Sequence, residues 1–234
     1  ADHQGARGGA GRCLWVAMLS LTVGVAAEAV PVTLQNNTAT LSQGGFSVVA
    51  TTDANLANNN GWGIQDGSLV TSAQTAVWET QSDVGHAGGT TLTFSLIQNY
   101  TATGGQHTVG RFRLSYTTDN RSTFADGLTS GGDVTATWTV MVPTSPVSTG
   151  GATLTAQGDN SILASGTNPS TASYTVAATV PGGTLITGFR LEVMEDASLP
   201  TNGPGRMTNG NFVLTEVQVD EVQAPVTLLS IEVD

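Results

Sequence analysis

Apolar and polar residues alternate with period two through most of the chain. Thr91-Leu92-Thr93-Phe94-Ser95-Leu96 is one such run, Arg111-Phe112-Arg113-Leu114-Ser115-Tyr116 another, and Asn211–Val219 a third. In an extended backbone successive side chains point to opposite faces, so each run predicts a strand with one face on a core. Gly-Gly pairs at 88–89, 104–105, 131–132, 150–151 and 182–183 punctuate the runs as turns. No segment after residue 29 sustains a 3.6-residue apolar period with caps, so no long helix is expected there. Short strands at regular turn spacing predict an all-β, antiparallel β-sandwich.

A weak internal echo predicts two related modules. His107–Tyr116 and Thr184–Val193 each run from a turn into a strand whose Phe and Leu share a face. Arg113 and Arg190 fall between them, on the opposite face. The expected layout is a first module at 30–128, a second at 129–221, and a boundary in the loop-like stretch 126–133. Residues 222–234 read as one more strand or the start of a truncated element.

The N-terminal 29 residues have a different pattern. Arg7 and Arg12 precede a mostly apolar run, Leu14–Ala27, and Ala27-Glu28-Ala29 offers a small-residue cleavage site. This is the layout of a secretory signal, with a short helix in its apolar part, and the run is too short for a good membrane span. The expected location is secreted, extracellular or periplasmic, with no membrane insertion once the signal is removed. Cys13, the only cysteine, lies inside this segment, so the mature chain would carry no disulfide.

Composition narrows the partners. Of 234 residues only 11% are charged, the net charge is −11, and all seven basic residues are arginines. Nucleic acid and anionic membrane need a basic stripe, which the sequence lacks. The 39% of hydrophobic residues, in regular alternation, argue for packed sheets rather than disorder.

Several stretches carry a family resemblance: Val32–Gln43, Gly88–Leu96 with His107–Leu114, Ser161–Gly166, and Ser198–Arg206 with Asn209–Glu216. They resemble a β-sandwich region of large exported planctomycete-type proteins that also carry cytochrome c-like and unknown-function domains. Such regions look like galactose-binding-like (discoidin-type) jelly rolls, so the resemblance implies that fold here. In it an early loop commonly reads Asp-Gly, then Trp. Asp53–Trp62 keeps the Asp and the Trp and has Ala54 in place of the Gly. The haem-attachment signature C-x-x-C-H is missing.

Catalytic constellations are sparse. His86 and His107 are the only histidines after the signal, and no G-x-S-x-G elbow occurs. Glu192, Glu195 and Asp196 cluster after a strand, with Glu79 and Glu216 elsewhere; all read as surface charge before they read as a glycosidase pair. Calcium suits the oxygen-rich loops better, because it accepts carboxylate, amide and carbonyl oxygens without a strict motif. Its candidate ligands are Asp53 and Asn55, with Asn58–Asn60, and Glu216. For a sugar, an exposed ring can stack on a pyranose face. Trp78 and Trp138 alternate like core residues, leaving Trp62 and Tyr100 as candidates. Arg206 can pair an anionic sugar or bridge within the fold, and both readings stay open.

The expectation is therefore an exported, non-catalytic binding or accessory module whose ligand is carbohydrate or a cell-surface polymer. The alternative is a structural spacer or assembly subunit, for which strand-like ends would suit self-association. A glycan hydrolase using Glu192 or Glu216 is the third option.

Overall fold

The structure, a computed structural model, describes residues 28–67, 69–121 and 137–223. The signal-like run, the 126–133 boundary loop and the tail after Gln223 lie outside the described residues. In chain order the strands are β1 (Val30–Pro31), β2 (Leu34–Ala39), β3 (Trp62–Gly63), β4 (Gln74–Val84) and β5 (Thr90–Gln98). Then come β6 (Arg111–Thr117), β7 (Thr139–Val140), β8 (Thr144–Ser148), β9 (Ala152–Ala156) and β10 (Ile162–Gly166). The last four are β11 (Ala172–Val180), β12 (Ile186–Val193), β13 (Val213–Leu214) and β14 (Glu216–Gln223).

These strands make an antiparallel β-sandwich. One sheet has the order β1-β14-β5-β11-β8, and the other β2-β4-β12-β6-β10-β9 with β7 against β6. A two-stranded ribbon, β3 with β13, closes one end. From β10 to β12 the chain crosses between the sheets at each step, as a jelly roll does, and it reaches β14 through the β3–β13 ribbon. No helix among the described residues is long and apolar enough to cross a membrane.

The alternation in the sequence sets which residues meet. Leu92, Phe94 and Leu96 of β5 turn inward, opposite Ala178, Val176 and Tyr174 of β11. Phe112 and Leu114 of β6 and Phe189 and Leu191 of β12 face them from the other sheet. Phe94 meets Phe189 edge-on at 5.1 Å, and Phe112 stacks on Tyr174 at 6.1 Å. Each such side chain contributes about 1.5–3 kcal/mol by leaving water.

Both sheets draw strands from each side of the expected 126–133 boundary, and one core joins them. Residues 30–128 and 129–221 therefore interleave in a single sandwich, which corrects the expected division into two. The internal echo has a local cause instead. Its two copies are β6 and β12, neighbours in one sheet with Leu114 opposite Leu191. They repeat a pattern because they share the same two environments.

The run Asn211–Val219 is also two elements rather than one strand. Residues 213–214 pair with β3, and the chain enters the first sheet at Glu216. Thr215 sits at the switch, its N–H donating to the Ile97 carbonyl at 2.7 Å and its Oγ1 accepting from Asn99 N–H. This change of sheet sets the position of Glu216.

Candidate functional site

The two aromatic candidates are structural. Trp62 is 0% exposed; its Nε1 donates to the Leu41 carbonyl at 2.8 Å and its ring meets Phe212 edge-on at 5.1 Å. Tyr100, 9% exposed, lies edge-on between Phe46 and His107. Neither ring offers a face to a ligand, so the expectation that they stack on a sugar is corrected. The cause is the loop end of the sandwich, where segments 41–70 and 199–214 fold over one another and need large rings as filler.

Arg206 also points into the fold. It is 8% exposed, with Nη1 donating to the Thr167 carbonyl at 2.9 Å and Nη2 to the Gly166 carbonyl at 2.7 Å. Its main chain bonds Thr108 and Asn168, so it ties the β10–β11 connection to the 203–210 loop. Of the two readings the internal bridge holds, to carbonyls rather than to acids. Arg206→Met is expected to lose about 2–3 kcal/mol, because the two charge-assisted bonds to the Thr167 and Gly166 carbonyls disappear. Arg206→Lys should recover only part, since one ammonium cannot reproduce the fork. Urea denaturation reads both; a methionine variant as stable as the parent would refute the assignment.

The remaining acids are spread over separate places and engaged there. Glu192 accepts from Arg113 Nε and Nη2, both at 2.9 Å, and from Arg190 Nη2 at 3.3 Å. The Arg190 guanidinium lies 5.1 Å from the centre of the Trp138 ring. Glu195 Oε1 accepts from Ala73 N–H, while Asp196 caps Ser198 and stands 3.5 Å from Arg111. Glu79 is buried and accepts from the Gln35 and Asn36 amides. His107 Nδ1 bonds the Gly105 carbonyl, and burial lowers its pKa. His86 stands 3.4 Å from Glu221 at the opposite end of the sandwich. Among the described residues no three His, Cys, Asp or Glu side chains converge.

Glu216 is different. It is 5% exposed, and its Oε2 is buried with no hydrogen-bond partner. Burial pushes its pKa up to about 7; the Ala54 N–H that bonds it pulls the other way, and the nearby Asp53 charge adds to the rise. The fold thus brings Asp53 to Glu216 across 163 positions of sequence. Asp53 itself is exposed and organises its loop: Oδ1 accepts from Asn55 N–H at 2.8 Å, and both carboxylate oxygens accept from the Asn60 amide. Asn55 contributes its carbonyl to the same Asn60 amide. Asn58 bonds Thr101, and Asn99 bonds the Leu56 carbonyl, tying the loop to the end of β5. Ala54 adopts φ 58°, the left-handed region where glycine is the usual residue.

Glu216, with one buried and unpartnered oxygen, and the nearby exposed Asp53 bring together carboxylate oxygens of the kind calcium takes. Sequence reasoning missed what adjoins them. Glu216 lines a cleft of about 360 Å³ between the β1–β2 crossover and β14. The signal was present in Glu216-Val217-Gln218-Val219-Asp220, whose alternation puts three polar side chains on one outer face.

No protein-family model and no curated protein matches the chain. Among solved structures, it is similar to one described as "X-ray structure of GH31 CBM32-2 bound to GalNAc". Identity is 7% and the TM-score 0.39, over 83% of this chain and 98% of that one. It is also similar to a chain from the Streptococcus pneumoniae β-galactosidase BgaA. There identity is 13% and the TM-score 0.48, over 85% of this chain and 100% of the other. Similarity at this level bears on neither ligand nor site, and the antiparallel β-sandwich stands on the strand pairing itself.

Proposed function

We propose that the chain is an exported, non-catalytic binding or accessory module for carbohydrate, with a calcium ion at Asp53 and Glu216. The observation that carries this reading is the Glu216 carboxyl, 5% exposed, with Oε2 unpartnered beside a second acid. Burying an anion without a partner is costly. A divalent cation would satisfy that oxygen, offset the repulsion from Asp53 and hold loop 53–60 against β14. It would supply structural charge compensation there.

Carbohydrate is favoured as the ligand class because the adjoining cleft is rimmed by acceptors and hydroxyls, with no arginine in its lining. A glycan-array screen of the mature chain, with calcium and with chelator, tests the module reading. Saturable binding to at least one glycan class is expected. A folded sample that binds none under either condition would sink the carbohydrate assignment.

A structural subunit is the second reading, favoured by the edge strand β9, which pairs with β10 along an uncharged Ala152–Ala156 segment. Light scattering separates the two, since edge pairing requires concentration-dependent oligomers.

A further inference from the structure

Between β1 and β2 the chain leaves one sheet for the other. Val30 and Pro31 pair with Glu221 and Asp220, and Val32 N–H still donates to the Val219 carbonyl at 2.8 Å. By Gln35 the chain is paired with β4 in the opposite sheet. The first half of β14 therefore loses its neighbour on that side, and the cleft of about 360 Å³ opens there. Since the Val219 carbonyl points toward β1, the alternation along a strand turns the N–H and C=O of Val217 to the same side.

The cleft has two kinds of wall. Glu216, Gln218 and Asp220 stand on the outer face of β14, opposite Ile97, Ser95 and Thr93 of β5. Thr33 and Thr52 add hydroxyls, while Val32 and Leu34 supply an apolar flank. The polar row spans about 13 Å, four residues of extended chain. Its chemistry selects among ligands. Asp220 lies outside the proposed calcium site, and its carboxylate, with no basic residue in the lining to offset it, repels sulfate, phosphate and uronate groups. An apolar ligand would strip water from the Gln218 and Asp220 side chains without replacing their hydrogen bonds. A hydroxyl-rich ring with one C–H face meets both walls: its hydroxyls donate to the acceptors and its apolar face lies on Val32 and Leu34.

We propose that this cleft is the ligand site, and that it takes a short, linear, neutral oligosaccharide laid along β14. The proposal rests on the module reading above and adds where the glycan sits and which charge class it has. The site is an edge groove beside the β1–β2 crossover, away from the buried rings of the loop end.

The test is affinity electrophoresis in calcium against neutral β-1,4-galactan and xyloglucan and against anionic polygalacturonate. The proteins are the parent chain, Gln218→Arg, Asp220→Ala and, as a surface control, Thr155→Arg on β9. Retardation by a neutral polymer, weakened at least tenfold in Gln218→Arg and Asp220→Ala and retained in Thr155→Arg, is expected. Hydrogen exchange of the parent chain, with and without the retarding polymer, keeps the test independent of how the variants fold; slowed exchange at 31–34 and 216–220 is expected. Neutral-polymer binding that both cleft variants keep, or protection elsewhere, overturns the site and leaves the module reading standing. Preference for polygalacturonate overturns the charge class. A parent chain that binds no polymer in this assay and no glycan on the array overturns the module reading as well.

Discussion

Trp62→Ala is expected to destabilise the protein by about 3–5 kcal/mol, the range for removing a fully buried large aromatic side chain. The indole is wholly enclosed, packs edge-on against Phe212 and donates to the Leu41 carbonyl. Alanine would leave a cavity where the β3–β13 ribbon closes the sandwich. Trp62→Phe should cost less, about 1–3 kcal/mol, mainly because the Leu41 carbonyl loses its donor. Gly61, at φ 135°, fixes the approach: a Cβ there would lie 2.5 Å from the Leu214 carbonyl oxygen. Urea denaturation measures both variants. An alanine variant within about 0.5 kcal/mol of the parent, as surface substitutions are, would mean that the ring does no packing and is free for ligand.

The second large effect is a pH dependence that calcium removes. Glu216 has a folded pKa of about 7 against an ordinary value of 4.5. Between those values the folded state holds more protons than the unfolded one, so stability falls as pH rises. The contribution is fully present below pH 4.5 and lost as pH passes through about 7. At about 1.4 kcal/mol per unit the loss is at most about 3 kcal/mol. His107 works in the opposite sense over part of the window. Its lowered pKa makes the unfolded state the better proton binder, so its stabilisation is lost as pH falls below 6.5. Comparison with Glu216→Gln isolates the carboxyl. In chelator the glutamine variant should match the parent near pH 4.5 and exceed it by up to about 3 kcal/mol at pH 8. Millimolar calcium should close that gap by binding the folded parent alone. Parallel stability curves for the two proteins in chelator would show that Glu216 is not a strained acid.

The strands were legible because period-two alternation is written residue by residue. Thr91–Leu96 lies within β5, and Arg111–Tyr116 forms most of β6. Partner choice is not written that way. The likeness of His107–Tyr116 to Thr184–Val193 suggested two modules, whereas β6 and β12 are adjacent strands sharing one core face and one arginine-bearing outer face. Asn211–Val219 shows the same limit. Residues 211–217 are buried on both sides, so alternation cannot mark where the chain leaves one sheet for another.

The candidate site was legible in its parts. Asp53 stood out for its Asn-rich loop, and Glu216 for its place near a sandwich edge. Their meeting depends on the turn at Thr215 and the left-handed Ala54, both properties of the assembled fold. Trp62 and Tyr100 were harder because Asn- and Gly-rich surroundings resemble an exposed loop. Only the covering segment around Phe212 shows that the ring is enclosed. The cleft depends on a gap beside β14 left by the β1–β2 crossover, and no residue pattern encodes a gap.

Calorimetric titration of calcium into the chelator-stripped protein at pH 7, in two buffers of different ionisation enthalpy, tests the Asp53–Glu216 site most directly. Saturable binding at one site is expected, with about half a proton released as Glu216 ionises, and with binding lost in Glu216→Gln. Heats no larger than dilution, or unchanged binding in the glutamine variant, would contradict it.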